Sequence, residues 1–254
     1  MNEKCVSGSI LITAIVWALS LPTHGGELPT EITKCKVGDN DCVRDKIQEI
    51  CRKYPKGNPS FAFPDISALR MENITITRAN DRSPLQLNFK FLHLINYGIE
   101  TIKILKTTGW TKDPKIIEME GEIPLLRLVG HYQADGKILL FNLNGEGEAS
   151  IELADCRVQL KARVKLEKRS DGKNYLKIVK LTVTLEPKKS YSKLENLIKG
   201  NKELSDSVND VINENWRDVW NELRTGTNDV TSQIYFNIIG NVLDVLSYDD
   251  FFAE

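Results

Sequence analysis

The residues best suited to acid–base chemistry are two histidines, His93 and His131, and a closely spaced carboxylate pair, Glu146 and Glu148. His131 lies within an apolar stretch, where a histidine is either an ordinary sheet residue or a polar anchor for a ligand. The two glutamates alternate with small residues, a pattern typical of the solvated face of a strand. We therefore interpret His131 as a sheet residue and both carboxylates as surface groups.

The compact signatures of catalysis are missing from the sequence. It has no HExxH, GxSxG or Walker A motif, and its GxG at residues 145–147 falls in a predicted hairpin turn instead of between a strand and a helix. We predict that the protein is not an enzyme, binds no metal ion and needs no cofactor.

The cysteines suggest an oxidising compartment. Cys5 lies in the N-terminal segment discussed next, which leaves an even number: Cys35, Cys42, Cys51 and Cys156. Four cysteines allow three connectivities. Cys35 and Cys42 enclose a short loop with a glycine, so a local bridge is sterically easy, and Cys51 with Cys156 would then tie this segment to the rest. A metal site is disfavoured because CxxC spacing and nearby histidines are absent.

The N-terminal segment has the order of a secretory signal peptide. Lys4 supplies the positive charge, residues 10–21 (ILITAIVWALSL) form the apolar stretch, and small residues follow. The apolar stretch is short for a membrane span, and an uncleaved signal anchor is the alternative. We predict a signal peptide over residues 1–26 and one secreted, extracellular domain over residues 27–254. The sequon at residues 73–75 makes Asn73 a candidate glycosylation site.

The composition is that of a soluble globular protein. Of 254 residues, 41% are hydrophobic and 27% charged, and 34 Lys and Arg balance 35 Asp and Glu. A nucleic-acid-binding protein would carry a basic excess, and the mean hydropathy of −0.29 excludes a multi-span membrane protein. We expect a monomer with no nucleic-acid partner and no stable membrane insertion.

The middle of the chain predicts long antiparallel strands. Apolar and polar side chains alternate over residues 146–153, 156–167 and 179–186, and shorter runs over 85–91, 116–119 and 123–129 extend the sheet. Short turns are predicted at 134–137, 144–145 and 170–173. Strands of this length must twist and curl.

Helical periodicity marks both ends of the domain. Residues 42–54 predict a short helix, and apolar residues recur at four-residue steps from Leu204 to Trp220. Gly226 is expected to end that helix, and Thr227 or Asn228 to cap a second one that runs to about residue 247. The second helix is apolar almost all round, so we expect the curled sheet to wrap it.

Several stretches resemble the takeout and juvenile-hormone-binding protein family of insects. They occur in the family's order: the Cys35 and Cys42 pair before a short helix, residues 130–139 (GHYQADGKIL) leading to 144–147 (NGEG), residues 194–204 (LENLIKGNKEL), residues 211–216 (VINENW) and the final Phe251 and Phe252. The chain departs from the family pattern at Leu197-Ile198, in a strand at residues 141–144 that lacks the usual proline, and at Cys51.

The resemblance implies an α+β, tubular lipid-binding (TULIP-like) fold, in which a highly curved antiparallel sheet wraps a long C-terminal helix around an elongated apolar cavity. It implies a secreted carrier of a small hydrophobic ligand, such as juvenile hormone, a related terpenoid or a fatty-acid-like lipid. Cys156 lacks the downstream partner found in hormone-binding members, and we therefore pair it with Cys51. The alternative is a membrane-associated lipid-transfer or lipopolysaccharide-binding protein of similar fold, which the near-neutral charge disfavours.

A carrier of this kind binds by burial, at about 25 cal/mol per Å² of apolar surface. Tyr132 is the candidate polar anchor, because its ring can line a cavity while its hydroxyl reaches a ligand oxygen. The candidate lining residues are apolar side chains from the predicted strands and their connections, for which plain core packing is the alternative: Leu87, Phe89, Trp110, Val129, Phe141, Val158 and Leu181.

Overall fold

The computed structural model describes residue 26 and residues 28–78, 85–138 and 141–253, with the backbone alone at 77, 78, 85–87, 138 and 141. The predicted signal peptide lies outside these residues except for Gly26. The main elements in chain order are α1 (Asn40–Lys53), β1 (Leu69–Arg78), β2 (Leu85–Tyr97), β3 (Lys103–Thr108), β4 (Ile116–Ile138), β5 (Phe141–Lys168), β6 (Asn174–Glu186), β7 (Lys189–Leu194), α2 (Lys202–Glu214) and α3 (Trp216–Val245).

Two very long strands form the spine of the molecule. β4 has 23 residues and β5 has 28, and they pair antiparallel from Ile116↔Arg163 to Ile138↔Phe141. A straight strand of 28 residues would be about 90 Å long. This length fits a domain of this size only if the sheet curls, as the sequence predicted.

The spine divides the sheet into two halves near Pro124, which lacks a backbone N–H, and Asp155, whose φ is 47°. In the α1 half, β3 pairs with the first part of β4 and β6 pairs with the second part of β5. In the α2 half, β2 and β1 continue from β4 on one side, and β7 pairs with β5 on the other. Helix α3 packs against β6, β1 and β7 and so joins both halves.

Two of the three predicted turns are wrong. Residues 134–137 belong to β4 and residues 144–145 to β5, whereas the turn at 170–173 is confirmed. The glycines mark close packing instead. A Cβ on Gly145 would lie 2.6 Å from the Leu197 Cα, and one on Gly147 would lie 2.4 Å from the Glu195 carbonyl oxygen. The segment 195–197 therefore presses on the strand where only glycine leaves room.

The predicted helix break is also wrong. Asn215 separates α2 from α3, and α3 runs through Gly226 without interruption. At the break, the Asn215 side-chain amide and backbone N–H both donate to the Val211 carbonyl, at 2.9 and 3.1 Å. An isolated glycine costs a helix only about 1 kcal/mol, and the packing of α3 on the sheet outweighs that cost.

Side chains of α2 and α3 form hydrogen bonds with backbone groups of the edge strands β6 and β7. Asn228 Oδ1 accepts a hydrogen bond from the Leu185 N–H, so it does not cap a helix as predicted. Asn209 Oδ1 accepts from the Leu194 N–H at 2.9 Å, while its amide donates to the Leu194 carbonyl. Unpaired edge groups of β6 and β7 are thereby satisfied, which protects the edges from pairing with other chains.

The predicted fold class is confirmed: an α+β domain built from one curled antiparallel sheet and a long C-terminal helix. Most α3 residues are half-buried and Leu243 is buried, so the sheet covers the helix as a half-barrel. Among the residues described, no helix is both long and apolar enough to cross a membrane.

Candidate ligand-binding cavity

An apolar cavity of about 250 Å³ lies in the α1 half, between α1, the sheet and the C-terminal part of α3. Asp39 caps α1 by accepting a hydrogen bond from the Cys42 N–H, and the helix then presents its apolar face to the cavity. Aliphatic side chains from the last two turns of α3 and from its C-cap residue form one wall: Ile238, Ile239, Val242, Leu243 and Leu246. Strands β4, β5 and β6 provide the opposite wall with similar residues.

Few polar groups reach this cavity. Thr107 is one, and its hydroxyl is already used, because it donates to the Glu118 carbonyl at 2.8 Å and accepts from Trp110 Nε1 at 2.9 Å. Lys46 on α1 is the charged residue among the described lining, and its ammonium lies 2.9 Å from Glu49 Oε2. A surface of this composition favours an apolar guest over a charged or sugar-like one.

The disulfide segment and an aromatic cluster form part of the cavity wall. Cys35 and Cys42 form the predicted disulfide, which is confirmed. The Cys35 N–H donates to the Phe251 carbonyl at 3.1 Å, and the Ala253 N–H donates to the Cys35 carbonyl at 2.8 Å. The rings of Trp110, Tyr248 and Phe251 contact one another beside this bridge. The two chain termini of the domain are thus joined at the cavity wall.

The predicted disulfide between Cys51 and Cys156 is absent from the structure, which holds both as free thiols. Cys51 lines the cavity from α1, whereas Cys156 lies on β5 at the middle of the spine, and Tyr235 of α3 is close enough to interact electrostatically with both. Burial raises the pKa of each thiol to about 11. Both are therefore neutral near pH 7 and behave as small apolar side chains.

Tyr132 lies in the α2 half and outside this cavity. It is fully buried, and its ring packs near Phe89. The hydroxyl donates to the Glu195 carbonyl at 2.9 Å, and burial raises its pKa. In this structure, the tyrosine chosen as a ligand anchor fastens the segment after β7 to the sheet.

The remaining candidate lining residues divide between the two halves. Trp110 and Leu181 line the cavity. Val158 is buried with the cavity-lining residues without lining the cavity itself. Phe89 packs with Phe91 and Tyr132 in a second apolar cluster, in the α2 half, and Val129 is half-buried on β4. Leu87 and Phe141 lie on β2 and β5, and their side chains are outside the described residues.

Sequence reasoning missed the contributions of both helices to the cavity. Lys46, Ile47, Ile50 and Cys51 of α1 line it together with the α3 residues named above. A signal for α1 was present, since Val43, Ile47 and Ile50 recur at helical spacing and so mark a buried face. Nothing in that spacing states whether the buried face meets other side chains or an open space.

The histidines and carboxylates meet on the solvent-facing side of the sheet. His131 Nδ1 lies 3.1 Å from Glu148 Oε1, and its Nε2 lies 3.3 Å from Glu146 Oε1. His93 is the register partner of His131 and pairs with Glu72. Hydrogen bonds to Glu148 and then Glu146 raise the pKa of His131. Within the described ranges, no group of His, Cys, Asp or Glu is arranged to hold a metal ion.

Asn73 is exposed on β1 at a position skipped by the pairing with β2, and its φ is 53°. An exposed asparagine at an unpaired position leaves room for a glycan. Its glycosylation stays a prediction.

The sheet curls along a long helix and leaves an apolar space beside α1. The sequence model of the family described as haemolymph juvenile hormone binding protein (JHBP) matches residues 10–253. The chain belongs to this family. Two relatives named circadian clock-controlled protein daywake are similar to it over 230 residues: that of Drosophila melanogaster is 24% identical, over 89% of this chain and 88% of the relative, and that of Drosophila yakuba is 25% identical, over 88% of each.

The fold of this JHBP-family chain is also that of a solved relative. The crystal structure of Epiphyas postvittana Takeout 1 superposes with a TM-score of 0.76 at 24% identity and covers 87% of this chain and 99% of the other. The family resemblance predicted from the sequence is confirmed.

Proposed function

We propose that the protein is a secreted carrier that holds a small hydrophobic ligand, a terpenoid such as juvenile hormone or a fatty-acid-like lipid, without chemically changing it. The observation that carries this proposal is the cavity between α1, the sheet and α3, whose described lining is aliphatic and aromatic apart from Thr33, Thr107, Lys46 and the cysteines. Family membership supports the same proposal.

The energetics favour an apolar guest. Transfer from water contributes about 25 cal/mol per Å² of buried apolar surface, so burial of about 300 Å² of such a ligand corresponds to roughly 7 kcal/mol before the cost of immobilisation. The neutral Cys51 thiol is a weak nucleophile, since the thiolate is the reactive form. The cavity wall is therefore suited to holding a ligand without reacting with it.

The first test is mass spectrometry of the organic extract of protein secreted by insect cells, paired with displacement of an apolar fluorescent probe from delipidated protein. We expect a stoichiometric hydrophobic compound, or displacement of the probe by terpenoids or fatty acids. A folded protein that yields no compound and binds no probe would overturn the proposal.

A matched pair of variants assigns binding to this cavity. Ala162 lines it, so Ala162→Leu is expected to fill space and weaken ligand binding about tenfold while the fold is kept. Ala134 is buried in the apolar cluster of the α2 half, away from the cavity, so Ala134→Leu is expected to overpack that cluster, lowering the melting temperature without changing the affinity. Equal effects of the two variants on affinity would place the ligand elsewhere.

We also propose cleavage of the signal peptide, a glycan on Asn73 and a monomeric state. The intact mass of secreted protein should lack about the first 26 residues, in keeping with signal-peptide cleavage, and Asn73→Gln should remove one glycan mass. Size-exclusion with light scattering should give a single-chain mass. Protein retained on membranes with its first residues intact would favour the signal anchor.

A further inference from the structure

We propose that Lys46 anchors the head group of the ligand and selects hydrophobic molecules that end in a carboxylate over their esters. This inference rests on the carrier function proposed above and concerns the same cavity.

Lys46 brings charge to an otherwise uncharged wall. Its side chain is 26% exposed, so the aliphatic stem can lie along the cavity while the ammonium reaches water. The other described residues that line the cavity carry no charged group. A ligand whose apolar chain fills the cavity and whose polar end points toward α1 would meet one cation in the lining, Lys46, with the Glu49 carboxylate beside it.

The present partner of Lys46 is shared with a second lysine. Glu49 Oε2 lies 2.9 Å from Lys46 Nζ, and Glu49 Oε1 lies 2.6 Å from Lys53 Nζ. Hydrogen bonds from Lys53 and then Lys46 hold the pKa of Glu49 below its ordinary value. If Lys46 turned to a ligand, Glu49 would keep Lys53 as its partner and no carboxylate would be left unpaired.

The surrounding charges permit this exchange. Two other carboxylates nearby already have partners: Asp45 accepts a hydrogen bond from Arg44 Nε at 2.9 Å, and Glu31 accepts one from the Tyr54 hydroxyl at 2.5 Å. Partly exposed ion pairs add little to stability, so replacing Glu49 by a ligand carboxylate costs little. The gain is a charge-assisted hydrogen bond from a partly buried ammonium beside an apolar wall, which an ester oxygen cannot match.

The experiment compares hexadecanoic acid with methyl hexadecanoate on delipidated protein at pH 7.5 by displacement of an apolar probe. We expect tighter binding of the acid by the wild type. Lys46→Met should weaken acid binding about five- to tenfold, the size of one partly exposed charge-assisted hydrogen bond, and leave ester binding within about twofold. Glu49→Gln should strengthen acid binding, because it frees Lys46.

Arg52→Met is the matched control. Arg52 lies on the same helix, is exposed and does not line the cavity, so this variant removes the same charge at a distance from it. The proposal is overturned if Arg52→Met weakens acid binding as much as Lys46→Met, or if Lys46→Met weakens acid and ester equally. If the wild type binds neither compound nor any other apolar probe, the carrier function itself fails, and retained ester binding by Lys46→Met shows that this variant is folded.

Discussion

Cys51 places a thiol in the cavity wall, which provides a chemical probe of occupancy. Its pKa of about 11 leaves little thiolate at pH 7.5, so reaction with an apolar maleimide should be slow. A bound ligand should slow it further, as measured by peptide mass spectrometry of the modified cysteine. Cys156 does not line the cavity and is the internal control, so ligand protection of both thiols alike would indicate a general tightening of the fold.

His131 links stability to pH through its two glutamates. The pKa of His131 is raised above 6.5 in the folded protein. Its stabilising contribution to the free energy of unfolding is therefore fully present below pH 6.5 and is lost as the pH rises through the pKa of the folded state. The pKa of Glu146 is lowered, mainly by the hydrogen bond with His131, so its contribution is present above pH 4.5 and is lost as pH falls through its lowered value. His131 and Glu146 together should therefore stabilise the fold most between pH 4.5 and pH 6.5.

Replacing His131 tests this linkage. His131→Gln should flatten the dependence of the free energy of unfolding on pH between 5 and 8, measured by urea denaturation. Glu152→Gln, which alters another carboxylate on β5, the strand that carries Glu146 and Glu148, is the control and should keep the wild-type slope. A wild-type slope in His131→Gln would show that this row of side chains does not control the pH dependence.

At the level of elements, replacing glycine by alanine should have opposite effects on the free energy of unfolding in α3 and β5. An added Cβ on Gly240 meets nothing within 4 Å, so Gly240→Ala should stabilise the protein by about 1 kcal/mol through helix propensity. A Cβ on Gly145 would strike the backbone of residues 196–197 at 2.5–2.6 Å, so Gly145→Ala should destabilise it by about 1–3 kcal/mol. Chemical denaturation measures both; a stable Gly145→Ala protein would contradict the close packing described above.

At the level of the whole molecule, the Cys35–Cys42 bridge holds the junction between the first and last segments of the domain. Closing a loop of eight residues should stabilise the fold by about 2.5 kcal/mol through the entropy of the unfolded chain. Replacing both cysteines by serine should remove about that much and weaken ligand binding, because Cys35 lines the cavity. Reductant should reproduce the loss in the wild type and have no effect on the double variant.

The long strands, the α1 helix and the family were predictable because each depends on local patterns. Strict alternation over residues 156–167 requires one buried and one wet face wherever the strand is placed. The glycines at 145 and 147 misled the turn prediction, since a glycine marks either a turn or a close approach, and only the position of residues 195–197 distinguishes them. Likewise, the position of the helix break at Asn215 depends on packing and not on the low helix propensity of Gly226.

The sequence by itself determined that this chain forms one curled sheet and a long helix, because alternation and helical spacing are properties of neighbouring residues. Only the tertiary structure decided which apolar residues enclose a space and which pack solidly. It moved Tyr132 into a filled cluster, brought Lys46 and Cys51 to the cavity, and kept Cys51 and Cys156 as separate thiols. These outcomes depend on the distance between α1, α3 and the sheet, which is set by the curvature of two strands acting together and is encoded in no single segment.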